Sequence, residues 1–222
     1  MDRKPFLACA ALTALALASP ARVAPGWLDA ASPAGWNRAG ARVPRAPARR
    51  GDPPTVARCR GGVARPPENA AERQIAAAGW TLFGGAEASG TTQMMSGCTS
   101  VDGMCRPAGY QVFVFVGGRF AGTLSPGPME PRADGSARVQ RLLSADAVAA
   151  EFARYAPADA LCCPSRVATV IFRVERSGAG PVVVPSSVVS APEPGQAGSC
   201  AAPRAAVSAG TAPGASCERP PR

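Results

Sequence analysis

Residues Tyr110-Gln-Val-Phe-Val-Phe-Val116 constrain this chain more than any other stretch. Side chains alternate across a strand, so Tyr110, Val112, Val114 and Val116 share one face and Phe113 and Phe115 the other. Both faces are apolar, and a strand with no side to offer to water has to lie in the middle of a sheet with cover above and below. Gly117-Gly118 follows, then Arg119-Phe120-Ala-Gly-Thr-Leu124, which reads as the return strand of a hairpin through a tight turn of positive φ. A phosphate-cradling glycine pair would need a helix after it, and a strand comes instead.

The neighbouring elements are read outward from that hairpin. Asn69-Ala-Ala-Glu72 is a capping box, Ile75 and Ala78 line one side and Gly79 stands at the stop, so one N-terminal helix is expected. Trp80 to Phe83 begins a strand, and Gly84 to Met104, rich in Gly, Ser and Thr, reads as a loop. Ser125 to Ser136 is a proline-punctuated loop, and Ala137 to Leu143 a further strand. Residues 146–155 fit a helical face through Val148, Phe152 and Tyr155 and a strand through Val148, Ala150 and Phe152. Arg166 to Glu175 puts Ala168, Val170, Phe172 and Val174 on one face, Ser177 to Gly180 turns the chain, and Pro181 to Pro185, bounded by prolines, suits an edge strand. The expected class is α+β: a single antiparallel sheet of five or six strands with one N-terminal helix against it, spanning residues 69–190.

Charge and proline separate this core from its flanks. The first 68 residues hold 11 of the 24 basic residues and only 4 of the 15 acids, while residues 69–190 are almost neutral. Residues 1–21 have the anatomy of a cleavable signal peptide, with Asp2-Arg3-Lys4 before an apolar run from Phe6 to Ala18 and small residues after it. That run is too short to span a bilayer, which takes about 20 residues, and no transmembrane segment is expected. Residues 22–68 carry nine arginines, many Ala and Pro and no apolar period, which reads as a disordered basic linker. Two other readings of the segment are an algal transit segment, forming a bipartite plastid leader with the signal, and a nucleic-acid arm. The second suffers from its aromatic interleaving being limited to Trp27 and Trp36. Residues 191–222 read as a disordered tail.

The absence of histidine removes imidazole bases and imidazole ligands from the chemistry available. Loss of Cys9 with the signal leaves seven cysteines, four of them in the core: Cys98, Cys105, Cys162 and Cys163. An exported chain forms disulfides. A bond between neighbours strains the backbone, so Cys98 and Cys105 are each expected to pair with one of Cys162 and Cys163. The sharper alternative makes Cys162-Cys163 a thiol-disulfide redox site, without the C-x-x-C spacing or helix N-terminus that usually lowers a thiol pKa. No spacing links a nucleophile to a base and none suits a metal, so no catalytic residue, metal or cofactor is expected.

The order Phe115-Val-Gly-Gly-Arg-Phe-Ala-Gly-Thr-Leu124, then Arg132 to Gly135, then Phe152-Ala-Arg-Tyr155, then Asp159-Ala-Leu-Cys-Cys-Pro-Ser165 resembles the LppP/LprE lipoprotein family, especially its cyanobacterial-type members, over residues 74–188. The resemblance implies a small extracytoplasmic β-rich domain, tilts residues 147–155 toward strand, and brings no activity with it. The chain departs from the family in one respect, because Cys9 precedes most of the apolar run where a lipidated cysteine should follow it. The functional expectation is a translocated, non-enzymatic binding or structural module for an unknown protein or envelope component. Its candidate binding residues are Arg132 and Asp134 in the long 125–136 loop and Asp159 in the 159–165 loop, since loops on a rigid sheet are where binding groups concentrate.

Overall fold

The hairpin with two apolar faces is the centre of the architecture. The structure, a computed structural model, describes residues 26–48 and 53–194. Among these, two helices, α1 (Pro53–Val63) and α2 (Ala70–Ala77), precede ten strands. The strands are β1 (Thr81–Ser89), β2 (Thr92–Cys98), β3 (Ser100–Val101), β4 (Pro107–Ala108), β5 (Gln111–Val116), β6 (Arg119–Thr123), β7 (Ala137–Ser144), β8 (Ala147–Arg154), β9 (Arg166–Ser177) and β10 (Gly180–Pro192). They form a four-stranded antiparallel sheet in the order β1-β2-β5-β6, a second in the order β10-β9-β8-β7, and a ribbon of β3 with β4. The expectation of one sheet with one N-terminal helix is therefore corrected to three sheets and, among the described residues, two α-helices.

The reason lies in β5, whose six residues are all buried. Its Val112, Val114 and Val116 face meets Val148, Ala150, Phe152, Val170, Phe172 and Val174 of the second sheet in one core. Its Phe113 and Phe115 face, with Leu82, Met95 and Phe120, is covered by Ala71 and Ile75 of α2 and by Trp80. One face needed a helix and the other a whole second sheet, because a single eight-residue helix cannot cover both. The hairpin turn has the expected positive φ at Gly117 and Gly118. The N-cap half of the expected capping box is present, Asn69 Oδ1 accepting from the Glu72 backbone N–H at 3.0 Å, while the Glu72 carboxylate accepts from the Glu68 N–H. Residues 147–154 are strand, and β10 lies at a sheet edge.

The stretch read as a loop, 84–104, is mostly the hairpin β1–β2. Its glycines serve two purposes: Gly90, at φ +57°, turns the hairpin, and Gly97 permits close packing. A Cβ on Gly97 would stand 3.0 Å from the Trp80 Cβ and 3.3 Å from Ile75 Cγ2, so glycine is what lets Trp80 and α2 sit down on β2.

The segment read as a disordered linker also differs. From residue 26 it packs along the sandwich. Leu28 is buried, and Trp27 and Trp36 meet Phe152 and Phe172 edge to face at 5.0 and 6.2 Å. Asn37 is the stitch between sheets: its Nδ2 donates to the carbonyls of Thr123 on β6 and Val183 on β10, both at 2.9 Å, and its Oδ1 accepts from the Thr123 N–H. Gly122, at φ +141°, makes room for it, since a Cβ there would overlap the Asn37 amide. Apolar residues too sparse to build a core of their own were enough to join one that already existed. The second sheet also runs past residue 190, with Glu193 N donating to the Ser165 carbonyl and its carboxylate paired with Arg138. The signal reading, residues 1–21, and the tail from 195 on lie outside the described residues.

Candidate functional site

The two sheets meet at two seams, and only one is stitched shut. On the β6–β10 side Asn37 and the Arg119 guanidinium, which donates to the Ala179 carbonyl at 3.0 Å, close the gap. On the β1–β7 side the Glu87 carboxylate accepts from the Leu142 N–H and the Thr92 hydroxyl donates to the Ala145 carbonyl. Those bonds hold one end of the seam, and at the other the edges part into a cleft of about 420 Å³. Phe83 of β1 and Tyr110, just before β5, line it on one side, Arg138 and Gln140 of β7 and Tyr155, just after β8, on the other, and Arg106, Arg132 and Cys162 from the surrounding loops.

The charged groups of the lining are arginines without exception. Two are already matched from outside it, Arg106 by Asp102 and Arg138 by Glu193. Among the described residues Arg132 makes no ion pair; its Nη2 lies 4.0 Å from the Met104 sulfur. Arg132 also holds φ +59°, a left-handed conformation that a β-carbon disfavours. The tyrosines are fixed walls. Tyr110 donates its O–H to the Ala137 carbonyl at 2.8 Å, and burial pushes its pKa up to about 12, so the phenol stays neutral. Tyr155 donates to the Leu161 carbonyl at 3.0 Å. Met104 and Leu161, both about two-thirds exposed, stand beside Arg132 and Cys162 as an apolar rim.

Of the three residues expected to bind a partner, the structure brings one to this cleft. Arg132 lines it, and the 159–165 loop contributes Cys162 and Pro164 to the same wall. Asp134 instead accepts from Arg154 Nε at 3.0 Å and the Tyr155 N–H at 2.8 Å, tying the 125–136 loop to the end of β8. Asp159 closes its own turn, accepting from the N–H groups of Ala156 and Ser165, which hold its carboxyl below the usual range. Both aspartates shape the rim. Tyr155, Arg138 and Phe83 were missed as lining residues, because nothing local to the sequence says which strand edges part.

The disulfide pairing also needs correction. Cys105 bonds Cys59 of α1, and Cys162 bonds its neighbour Cys163. Cys98 is buried at the end of β2, whereas Cys162 and Cys163 are exposed. The cause of the first difference is the docking of α1, which carries Cys59 to within a Cα–Cα distance of 5.2 Å of Cys105.

Sandwich, docked N-terminal segment and half-open seam together define a small disulfide-bonded β-domain that offers a cleft, and no described helix is long and apolar enough to cross a membrane. Residues 94–177, from within β2 to the end of β9, match the model of the LppP/LprE lipoprotein family. The matched stretch contains every lining residue named above except Phe83. A family of lipoproteins points to an envelope-associated, extracytoplasmic protein. No curated protein and no solved structure matches the chain.

Proposed function

We propose that this protein is an extracytoplasmic, non-enzymatic binding module that holds its ligand in the cleft at the parted β1–β7 seam. The observation that carries the reading is Arg132: an exposed guanidinium without an acidic partner among the described residues, in a conformation that disfavours a side chain, on the wall of the cleft. Clefts of a few hundred Å³ with an apolar lining and a few polar groups are the usual form of a small-ligand site. The protein isolated after export should carry a bound small molecule visible by native mass spectrometry, and Arg132→Ala should lose it with the melting temperature unchanged. An identical mass profile for both proteins would sink the assignment.

A second reading is favoured by one observation. The Cys162–Cys163 disulfide is exposed, and Cys162 lines the same cleft, so a dithiol can reach it. As a thiol-disulfide protein it would take two electrons and two protons from that dithiol, yielding two cysteine thiols and an oxidised reductant. Alkylation after mild treatment with dithiothreitol should then label Cys162 and Cys163 before Cys59 and Cys105; simultaneous labelling would remove this reading.

A further inference from the structure

We infer that the cleft takes an amphipathic anion, its carboxylate, sulfonate or phosphate group on Arg132 and its apolar body against Tyr155, Phe83 and the Met104–Leu161 rim. The inference rests on the binding role proposed above and adds the chemistry of the ligand.

Charge comes first. Arginines are the only ionisable groups of the lining besides the two tyrosines, and no carboxylate is among them. A cationic ligand would meet repulsion there. Arg106 and Arg138 each carry an acidic partner at 2.5 Å, so they raise the local potential without being the group that closes on a ligand. Arg132 has its donors left to give, and guanidinium is the side chain whose planar fork matches an oxyanion in two parallel bonds.

Polarity comes second. The Tyr110 and Tyr155 hydroxyls already donate to backbone carbonyls, so their rings present mainly apolar surface to whatever enters. Pro107, Pro131 and Pro164 add more of the same. Of the five large hydrophobic side chains that stand exposed among the described residues, Met104 and Leu161 belong to the loops that border this cleft. Burying such side chains under a ligand's apolar body is favourable at roughly 25 cal/mol per Å². A purely polar anion would leave that surface wet, and a neutral apolar molecule would leave the Arg132 guanidinium desolvated without a partner.

The test uses decanoate below its micelle concentration as the probe, with decanol and acetate as controls, followed by calorimetry or by displacement of a fluorescent sulfonate. Decanoate should bind saturably, and decanol and acetate should each bind at least tenfold more weakly. Arg132→Ala should weaken decanoate about tenfold or more, the scale of one charged hydrogen bond, and Arg132→Lys should recover part of the loss. Arg173→Ala, an exposed arginine of β9 outside the cleft, should change nothing. Gln140→Trp, which fills the cleft from β7, should abolish binding. If decanol equals decanoate while Gln140→Trp blocks both, the cleft stands as a binding site and the anionic ligand class is overturned. If decanoate does not bind saturably, or binds unchanged in both Arg132→Ala and Gln140→Trp, the ligand class and the cleft assignment both fall.

Discussion

At the scale of single residues, two polar side chains, Glu72 and Asn37, tie together parts of the chain through buried or part-buried hydrogen bonds. Glu72 is buried to 1 % exposure, yet it is ionised: the Arg65 guanidinium at 2.6 Å and the Glu68 N–H hold its carboxyl below the usual glutamate range. Lowering a carboxyl's pKa on folding adds stability that is complete above the unfolded value of 4.5 and is lost as pH falls through the lower folded one. Glu72→Gln should therefore cost about 3 kcal/mol at pH 7, since it leaves a partly buried guanidinium unmatched, and the cost should shrink below pH 4.5. A pH-independent difference in melting temperature between the two proteins would show that the pair adds nothing as ions. Asn37 is the other case. Its side chain makes three hydrogen bonds across the stitched seam, and Asn37→Ala should cost about 2 kcal/mol by denaturant unfolding. Gly122→Ala should cost at least as much, because the new methyl group displaces that amide.

At the scale of elements, the N-terminal segment is the one whose role its composition conceals. Residues 26–48 are dominated by Ala, Pro, Gly and Arg, and they hold themselves in place with few groups: Leu28, Trp27, Trp36, Asn37 and the Pro44 carbonyl that accepts from the Trp80 indole at 2.8 Å. An Arg154 guanidinium, bonded to the Leu28 carbonyl and to Asp29 and Asp134, fixes the start of the segment to the end of β8. A chain starting at residue 49 should lose the cover over Phe152 and Phe172 and either fail to fold or melt far below the parent. Limited proteolysis is the simpler check: residues 26–48 should be retained in the resistant fragment, and rapid trimming to residue 68 would contradict the docking.

At the scale of the whole molecule, the Cys59–Cys105 bond ties α1, which otherwise has little buried surface, to the β3–β4 ribbon across a sequence separation of 46. In the chain-entropy model a loop of that length is worth about 4 kcal/mol. Cys59→Ala with Cys105→Ala should therefore lower unfolding free energy by roughly 3–4 kcal/mol, whereas Cys162→Ala with Cys163→Ala, which closes almost no loop, should leave stability nearly unchanged. Equal losses would mean that the vicinal pair supports the fold as well as lining the cleft.

What the sequence determined on its own is what depends on neighbours along the chain: the two-faced strand 110–116, its glycine turn, the Asn69 cap, the edge strand after Pro181. Each is specified by alternation or spacing over fewer than about ten residues, and the resemblance carried by such stretches pointed to the family whose model covers 94–177. Tertiary structure alone decided what depends on distant partners. Trp36 reaches Thr123 over 87 positions, Arg154 reaches Asp29 over 125, and Cys59 reaches Cys105 over 46. The cleft is of this second kind. It exists because two sheet edges part, and which edges meet and which separate follows from how a valine face and an aliphatic-aromatic face pack, a quantity summed over both sheets and written in no single segment.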